Sequence, residues 1–251
     1  MRSDHPTEKD IPGLRALWHQ AFGDTPAFLD GFFAAAFAPR RCLCIREGNQ
    51  VIAALYWFDC TLDGRKIAYL YAVATEKAHR GQGLCKALLA ETLAHLPTQG
   101  YCGTLLSPAN EALFPMYEKM GFREALTLRE FTALAGGQPI PLTPLNPEDY
   151  ACLRREALPA GGVVQEEENL AFLSQYAAFY RAEGCLFAAT QEDGHLFCME
   201  FFGEERAIPG ILTALNADSG TFRTPGNEKP FALYASLDGT AAPSYFGLAF
   251  D

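Results

Sequence analysis

The segment Glu76–Leu96, EKAHRGQGLCKALLAETLAHL, most constrains the fold, because it is a helical pattern that joins two strand-like runs. The run KIAYLYAVAT precedes it and YCGTLLS follows it. A strand, a helix and a strand in this order predict two parallel strands joined by a right-handed crossover. Gly81 and Gly83 stand just before the helix, so their backbone amides are predicted to lie at its N terminus, where an anion is favoured.

Two amphipathic helices and a strand meander are predicted before this segment. Leu14, Leu17 and Trp18 lie at helical spacing ahead of Gly23, and a second helix begins with Thr25 as its cap and Pro26 at its first position. The runs RRCLCIRE, QVIAALYWFDC and KIAYLYAVAT follow, separated by the turn dipeptides GN and DG. This pattern predicts three antiparallel strands.

The glycine- and proline-rich stretch AGGQPIPLTPLNP predicts a domain boundary, with one domain over residues 1–135 and a smaller α+β domain over residues 143–251. In the second domain we predict helices over EDYACLRREAL, EENLAFLSQYAAFYRAEG and ERAIPGILTALNA, a hairpin over CLFAATQEDGHLFCMEFFG, and strands over GTFRTP, PFALYASL and SYFGLAFD. The order of these elements echoes the first half. A second interpretation is that the last strands complete the sheet of the first domain.

Charge and composition indicate which classes of function are compatible with this sequence. Residues 1–142 carry 14 basic and 14 acidic side chains, whereas residues 143–251 carry 6 and 16. An excess of acidic residues argues against nucleic-acid binding and suits a cationic substrate. The eight cysteines form no CxxC pair, which predicts buried reduced thiols and no metal site. No long apolar run or signal sequence occurs, so we expect a cytoplasmic protein without a membrane segment.

Two phosphate-binding motifs do not fit the segment HRGQGLCKALL. A Walker loop requires GxxxxGK followed by Ser or Thr, and this sequence has no such run. A dinucleotide fingerprint requires GxGxxG, but Lys86 occupies the position of the third glycine. What remains is Arg80-Gly81-Gln82-Gly83-Leu84-Cys85, placed between a strand and a helix.

This hexapeptide resembles the R/Q-x-x-G-x-G/A signature of the GNAT superfamily of acyl-CoA-dependent N-acyltransferases. Cys85 departs from the usual glycine or alanine, and Lys77 stands where the family often has proline. The segment NEALFPMYEKMGF resembles the second signature of the family, with Asn110 at its start and Tyr117 in its helix. The resemblance extends over residues 11–132. It implies a mixed central sheet with flanking helices, and makes a degenerate GNAT-like half one interpretation of the second domain.

The resemblance also implies a cosubstrate and its binding residues. Acetyl-CoA is expected to bind chiefly through backbone amides, with the pyrophosphate held by the loop and the pantetheine arm paired to the preceding strand. The binding residues implied are Val73, Thr75, Arg80, Gly81, Gln82, Gly83, Leu84, Cys85 and Asn110.

Tyr117 is the candidate catalytic residue. A thiol with a pKa near ~8.5 is more acidic than a phenol near ~10, so full proton transfer from the tyrosine would be uphill by ~2 kcal/mol. Tyr117 is therefore expected to donate a hydrogen bond to the leaving thiolate. The general base stays open among Glu76, Glu111 and a bound water, and Trp57, Tyr69 and Tyr71 are either pocket or packing residues.

Together these features predict an N-acetyltransferase that moves an acetyl group from acetyl-CoA to a primary amine by direct attack in a ternary complex. The acceptor is expected to be a cationic small molecule or peptide. The alternative is a non-catalytic acyl-CoA-binding or regulatory module. The sequence leaves open the acceptor's identity, the length of the acyl group and the oligomeric state.

Overall fold

A computed structural model, which describes residues 2–250, has the mixed α/β fold that the sequence predicts. The helices are α1 (Ile11–Phe22), α2 (Pro26–Ala35), α3 (Leu84–His95), α4 (Phe114–Glu118), α5 (Pro147–Ala157), α6 (Glu168–Leu173) and α7 (Ile208–Ala214). The strands are β1 (Cys42–Glu47), β2 (Gln50–Leu62), β3 (Arg65–Thr75), β4 (Gly103–Leu106), β5 (Glu124–Leu134), β6 (Thr143–Leu145), β7 (Val164–Gln165), β8 (Ala178–Ala182), β9 (Cys185–Glu192), β10 (His195–Phe202), β11 (Ser219–Pro225) and β12 (Lys229–Ser236). Within residues 2–250, no helix is both long enough and apolar enough to span a membrane.

The chain divides into two compact units. The first contains the residues up to Glu124 together with Leu233–Ala242, and the second contains Ala125–Ala232 and the residues from Pro243 onwards. This division differs from a boundary at residues 135–143. The reason is strand pairing, because Leu128–Leu134 of β5 pair with β11, whereas Leu233–Ser236 pair with β4.

The first unit is built on the predicted meander and crossover. Strands β1, β2 and β3 are antiparallel neighbours, β3 and β4 are parallel, and the last residues of β12 add an antiparallel strand beside β4. Helix α3 provides the crossover from β3 to β4. The parallel pairing and the completion of this sheet by a late strand are therefore confirmed.

The helices of this unit form because their apolar residues share one face. Helix α1 buries Leu14, Leu17 and Trp18, and it is followed by the C-cap Gly23, whose φ of 78° suits glycine. Helix α2 begins where the Thr25 side chain accepts a hydrogen bond from the Phe28 amide. The core of the unit contains side chains from β1, β2, β3, β4, β12, α3 and α4, including Leu55, Trp57, Leu88 and Tyr117.

The second unit repeats this plan on its own core. Its strands run in the order β5, β11, β10, β9, β8 and β6, and β10 and β11 form the parallel pair. Helix α7 provides the crossover between them. Its core contains Phe187, Phe201, Ile211 and Phe222.

Two predictions for the second unit are wrong. The predicted helix over residues 167–184 ends at Leu173, and Ala178–Ala182 instead form β8, which pairs with β9 and β6. The predicted strand over residues 244–251 is absent from its described part, apart from a single bridge between Gly162 and Tyr245. Residues 245–250 are all buried, so they lack the alternation of buried and exposed side chains that a strand with one solvent-facing side would show. Their backbone makes individual hydrogen bonds, such as that from the Val163 amide to the Tyr245 carbonyl.

Candidate active site

Strand β3 separates from β4 halfway along its length. Its pairing with β4 runs from Ile67 to Leu70. Opposite β2, one extra residue is inserted between Tyr71 and Ala74, and Ala72 in this bulge has a φ of 48°. A bulge bends and twists the strand that carries it. Within residues 2–250, the edge of β3 from Tyr71 to Thr75 that faces away from β2 therefore has no paired strand.

The loop after β3 leads directly into α3. It contains a short 3-10 turn, Lys77–His79, and the two glycines Gly81 and Gly83, each with a φ of 78°. The first helical bond of α3 joins the Ala87 amide to the Gly83 carbonyl at 2.9 Å. Among the described residues, the amides from Gly81 to Lys86 have no hydrogen-bond acceptor. Unbonded amides at a helix N terminus favour an anion.

The side chains around this loop are consistent with an anion site. Lys77, Arg80 and Lys86 are exposed, and the Arg80 Nε donates to the Thr75 carbonyl at 3.1 Å. Val73 and Thr75 are half-buried, and the buried Thr75 Oγ1 has no hydrogen-bond partner within the described part of the chain. The predicted residues from Val73 to Cys85 thus lie on one continuous strand, loop and helix.

Tyr117 lies in the first turn of α4, as predicted. Helix α4 begins at Phe114 after a 3-10 turn, Glu111–Leu113, because Pro115 suits only the first positions of a helix. The Tyr117 side chain is buried, yet its hydroxyl has no hydrogen-bond partner among residues 2–250. Burial, with a smaller effect of the neighbouring Cys85, raises the pKa of Tyr117. Tyr117 and Cys85 are therefore brought together from segments far apart in sequence.

The remaining predicted residues have distinct environments. Asn110 is exposed, and its carbonyl accepts from the Leu113 amide at 3.1 Å. Glu111 is exposed as well. Glu76 is engaged by its neighbours, because its carboxylate contacts the His79 ring and accepts from Gln50 Nε2 at 2.7 Å.

The strand aromatics are mainly packing residues. Trp57 is buried and its Nε1 donates to the Tyr101 hydroxyl at 2.9 Å. Tyr69 is buried and stacks on Phe58 at 5.9 Å between ring centroids. Tyr71 is half-buried, and its ring centroid lies 5.4 Å from that of Trp18.

Sequence reasoning missed the residues that hold the loop from the other side. The ring of His79 contacts Glu76 through Nδ1 and Glu47 through Nε2, the latter at 3.2 Å. Glu47 and Gln50 flank the turn between β1 and β2, far from the loop in sequence. The local signal available was His79 itself, a titratable residue next to Arg80.

The first part of the chain matches a known protein family. Residues 3–125 match the family described as the acetyltransferase (GNAT) domain. This part of the chain belongs to the GNAT superfamily. The match confirms the family resemblance that the two signatures indicate.

One relative is similar to this chain in sequence, and two solved structures are similar to it in fold. N-acetyltransferase 8F1 of Rattus norvegicus is 36% identical over 83 residues, which are 31% of this chain and 37% of the rat protein. A GCN5-related N-acetyltransferase from Kribbella flavida has a TM-score of 0.71 at 19% identity over 94% of this chain and 71% of its own. A probable N-acyltransferase from Enterococcus faecalis V583 has a TM-score of 0.73 at 16% identity over 94% and 73%. At these identities, the two structures show that the fold is shared over most of the chain.

The environment of Tyr117 predicts that its hydroxyl contributes little to folding. Tyr117→Phe is expected to change the free energy of unfolding by less than ~0.5 kcal/mol, because no protein hydrogen bond is lost. Tyr101→Phe is the matched control in the same unit, since its hydroxyl accepts from Trp57 and donates to Asp59. We expect the control to cost about 1–3 kcal/mol in urea denaturation. Equal losses in the two variants would contradict this description.

Proposed function

We propose that the chain is an N-acetyltransferase that moves an acetyl group from acetyl-CoA to a primary amine by direct attack in a ternary complex. The observation that carries this proposal is the row of unbonded amides from Gly81 to Lys86, placed immediately beyond the open edge of β3. A phosphate fits the amides and an extended chain fits the strand edge. Membership of the acetyltransferase superfamily supports the same cosubstrate.

The residues that would hold acetyl-CoA form three groups. The amides of Gly81 to Cys85 would bind the pyrophosphate, supported by the side chain of Arg80 and the other exposed basic side chains of the loop. The backbone of Val73 and Thr75 would bind the pantetheine arm as an added strand, and Asn110 would contact it from the turn before α4. Cys85 is half-buried and burial raises the pKa of its thiol, so it stays protonated beside the loop.

Acetyl-CoA supplies an activated acyl group, and the chemistry left to the protein is positioning and charge stabilisation. As the nitrogen–carbon bond forms and the carbon–sulfur bond breaks, negative charge develops on sulfur. Because burial raises the pKa of Tyr117 above that of a free phenol, proton donation is harder than for an exposed tyrosine. Tyr117 would therefore act as a hydrogen-bond donor to the developing thiolate, with the proton supplied by solvent.

The proton lost by the amine is assigned to water in this proposal. The carboxylate of Glu76, one of the candidate bases, already contacts His79 and accepts a hydrogen bond from Gln50. Glu76 is therefore not assigned as the base. Glu111 is exposed in the 3-10 turn before α4.

We propose further that the second unit is a degenerate GNAT-like half. Its parallel strands β10 and β11 are joined through α7, as β3 and β4 are through α3, and β10 also carries a bulge, next to Cys198. The loop that corresponds to the glycine loop reads Gly203-Glu204-Glu205-Arg206. Two carboxylates at this position would repel a pyrophosphate, so cosubstrate binding is assigned to the first unit alone.

The acceptor is proposed to be a cationic small molecule or peptide. The first unit carries 13 basic and 14 acidic side chains, and the second carries 7 and 16. Six of the seven basic side chains of the second unit form ion pairs within it: Arg129, Arg154, Arg155, Arg206, Arg223 and Lys229. The excess carboxylates therefore give this unit a negative field that would concentrate a protonated amine around the protein.

The experiment that tests the function is release of free coenzyme A from acetyl-CoA in the presence of a panel of amines. Acetylated amine and free thiol formed in equal amounts would support the transferase. Binding of acetyl-CoA without release for any amine in the panel would favour a non-catalytic binding module instead.

The glycine loop predicts a specific loss of affinity for coenzyme A. Gly83→Val should weaken binding by more than about tenfold, since valine resists a φ of 78° and displaces the amides. Gly64→Val is the matched control, because Gly64 has a φ of 75° in the turn between β2 and β3. Isothermal calorimetry with coenzyme A should show loss of affinity in the first variant alone. Unchanged affinity of Gly83→Val would remove the loop from the site.

Tyr117 predicts an effect on chemistry rather than on binding. Tyr117→Phe should lower the turnover number on the order of a hundredfold while leaving the dissociation constant of acetyl-CoA nearly unchanged, because the hydrogen bond forms as charge develops. Single-turnover measurements with a saturating amine separate the two quantities. A variant with parental turnover in the chemical step would exclude Tyr117 from the mechanism.

The acidic unit predicts that the apparent KM for a cationic amine rises with ionic strength. The Debye length falls from about 30 Å at 0.01 M salt to about 8 Å at 0.15 M, which screens long-range attraction. The KM for acetyl-CoA should respond less, because backbone contacts hold it at short range. A preference for anionic amines, or a KM for the best cationic amine that does not change with salt, would contradict the role given to the acidic unit.

A further inference from the structure

The side chain of His79 is placed between two carboxylates at the base of the glycine loop. Its Nδ1 contacts the Glu76 carboxylate, and its Nε2 lies 3.2 Å from Glu47 Oε2 at the end of β1. The His79 and Glu76 side chains are 18% and 19% exposed, whereas that of Glu47 is 58% exposed. Both ring nitrogens are therefore in contact with carboxylate oxygens.

A second bridge runs parallel to this one. Gln50 Nε2 at the start of β2 donates to Glu76 Oε1 at 2.7 Å, and the Glu76 amide donates to the Ile52 carbonyl at 2.8 Å. The hairpin of β1 and β2 thus contacts the loop at Glu76 and at His79. Arg80 follows His79 directly in the chain, and the unbonded amides begin at the next residue, Gly81.

The chemistry of imidazole decides when both contacts can exist. A protonated ring carries two N–H donors, so it can donate to Glu76 and Glu47 at once. A neutral ring carries one donor and one lone pair, and that lone pair would face a carboxylate oxygen. Loss of the proton therefore breaks one of the two contacts.

We propose that His79 is a positioning residue for the coenzyme A loop, whose protonated ring ties the loop to the hairpin of β1 and β2 through Glu76 and Glu47. The proposal rests on the assignment of coenzyme A to the amides after Arg80. It gives the site a pH dependence that resides in the protein, separate from any titration of the acceptor amine.

The direction of the pH dependence follows from the charges that face the ring. Glu47 from β1 and Glu76 from the loop are the carboxylates in contact with it, and Gln50 from β2 is neutral. Lys77 and Arg80 flank His79 in the chain, and the Arg80 Nε is directed to the Thr75 carbonyl. The two carboxylates, Glu47 first, raise the pKa of His79. A raised pKa means that the stabilisation is complete at pH values below that of an unpaired histidine and is lost as the pH rises through the raised value.

The test compares the dissociation constant of coenzyme A for the parent protein and for His79→Gln, from about pH 5.5 to about pH 9. The phosphates of the ligand titrate in the same range, but they affect both proteins equally, so the ratio of the two constants isolates His79. We expect the variant to bind about threefold more weakly at the acidic end, as for partly exposed ion pairs, and the ratio to approach one at the basic end.

Two further variants make the result specific. His19→Gln is the matched control, since His19 lies in α1 and, within the described chain, the hydrogen bond of its ring is with the Asp24 carbonyl, at 2.8 Å. It should follow the parent at every pH. Glu47→Gln removes one carboxylate and should shift the midpoint of the pH profile towards lower pH. Thermal unfolding without ligand confirms that each variant is folded.

The outcomes separate this inference from the proposed function. A constant ratio between His79→Gln and the parent across the pH range overturns the inference, since a merely structural histidine would weaken binding without a pH profile. A Glu47→Gln profile with the parental midpoint overturns it as well. A parent protein that binds no coenzyme A at any pH overturns the proposed function, and the inference with it.

Discussion

The structure of the candidate site depends on the end of hydrogen bonding between β3 and β4 after Leu70. An extra residue in β3 and the positive φ of Ala72 bend the strand away, at a backbone cost of roughly 1–3 kcal/mol for a residue in this region. The same bend leaves one edge of Tyr71–Thr75 without a strand partner in the described chain. The pairing of β3 with β2 on both sides of Ala72 holds this residue in its strained conformation.

The glycine loop follows this opening with unbonded amides, which would bind the pyrophosphate in the proposed site. Gly81 and Gly83 take left-handed conformations that direct the chain from β3 into helix α3, whose first amides are unbonded. The loop is fixed at its base by the contacts of Glu76 and His79 with the hairpin of β1 and β2. The backbone conformations of Gly81 and Gly83 and the side-chain contacts of Glu76 and His79 therefore both fix the same short loop.

The two units share one plan but differ in the loop that follows the first parallel strand. Both contain parallel strands joined through a helix, with a bulge in the first strand of the pair. In the first unit the following loop is rich in glycine and flanked by lysine and arginine. In the second it carries Glu204 and Glu205, and the buried Glu200 of β10 is bonded to Arg154. In the function proposed above, sequence differences in this one loop would separate a phosphate site from a structural element.

The sequence by itself determined the elements of the first unit, because periodic apolar residues, caps and glycines act locally: α1, α2, the meander, the glycine loop and α3 all lie where these patterns predict. It also indicated Tyr117 and the superfamily through two short motifs. Only the tertiary structure decided that Leu233–Ser236 join β4, that Ala178–Ala182 form a strand rather than a helix, and that Glu47 meets His79. These features depend on pairing between residues distant in the chain, and local propensity carries no information about which distant partner a segment will meet.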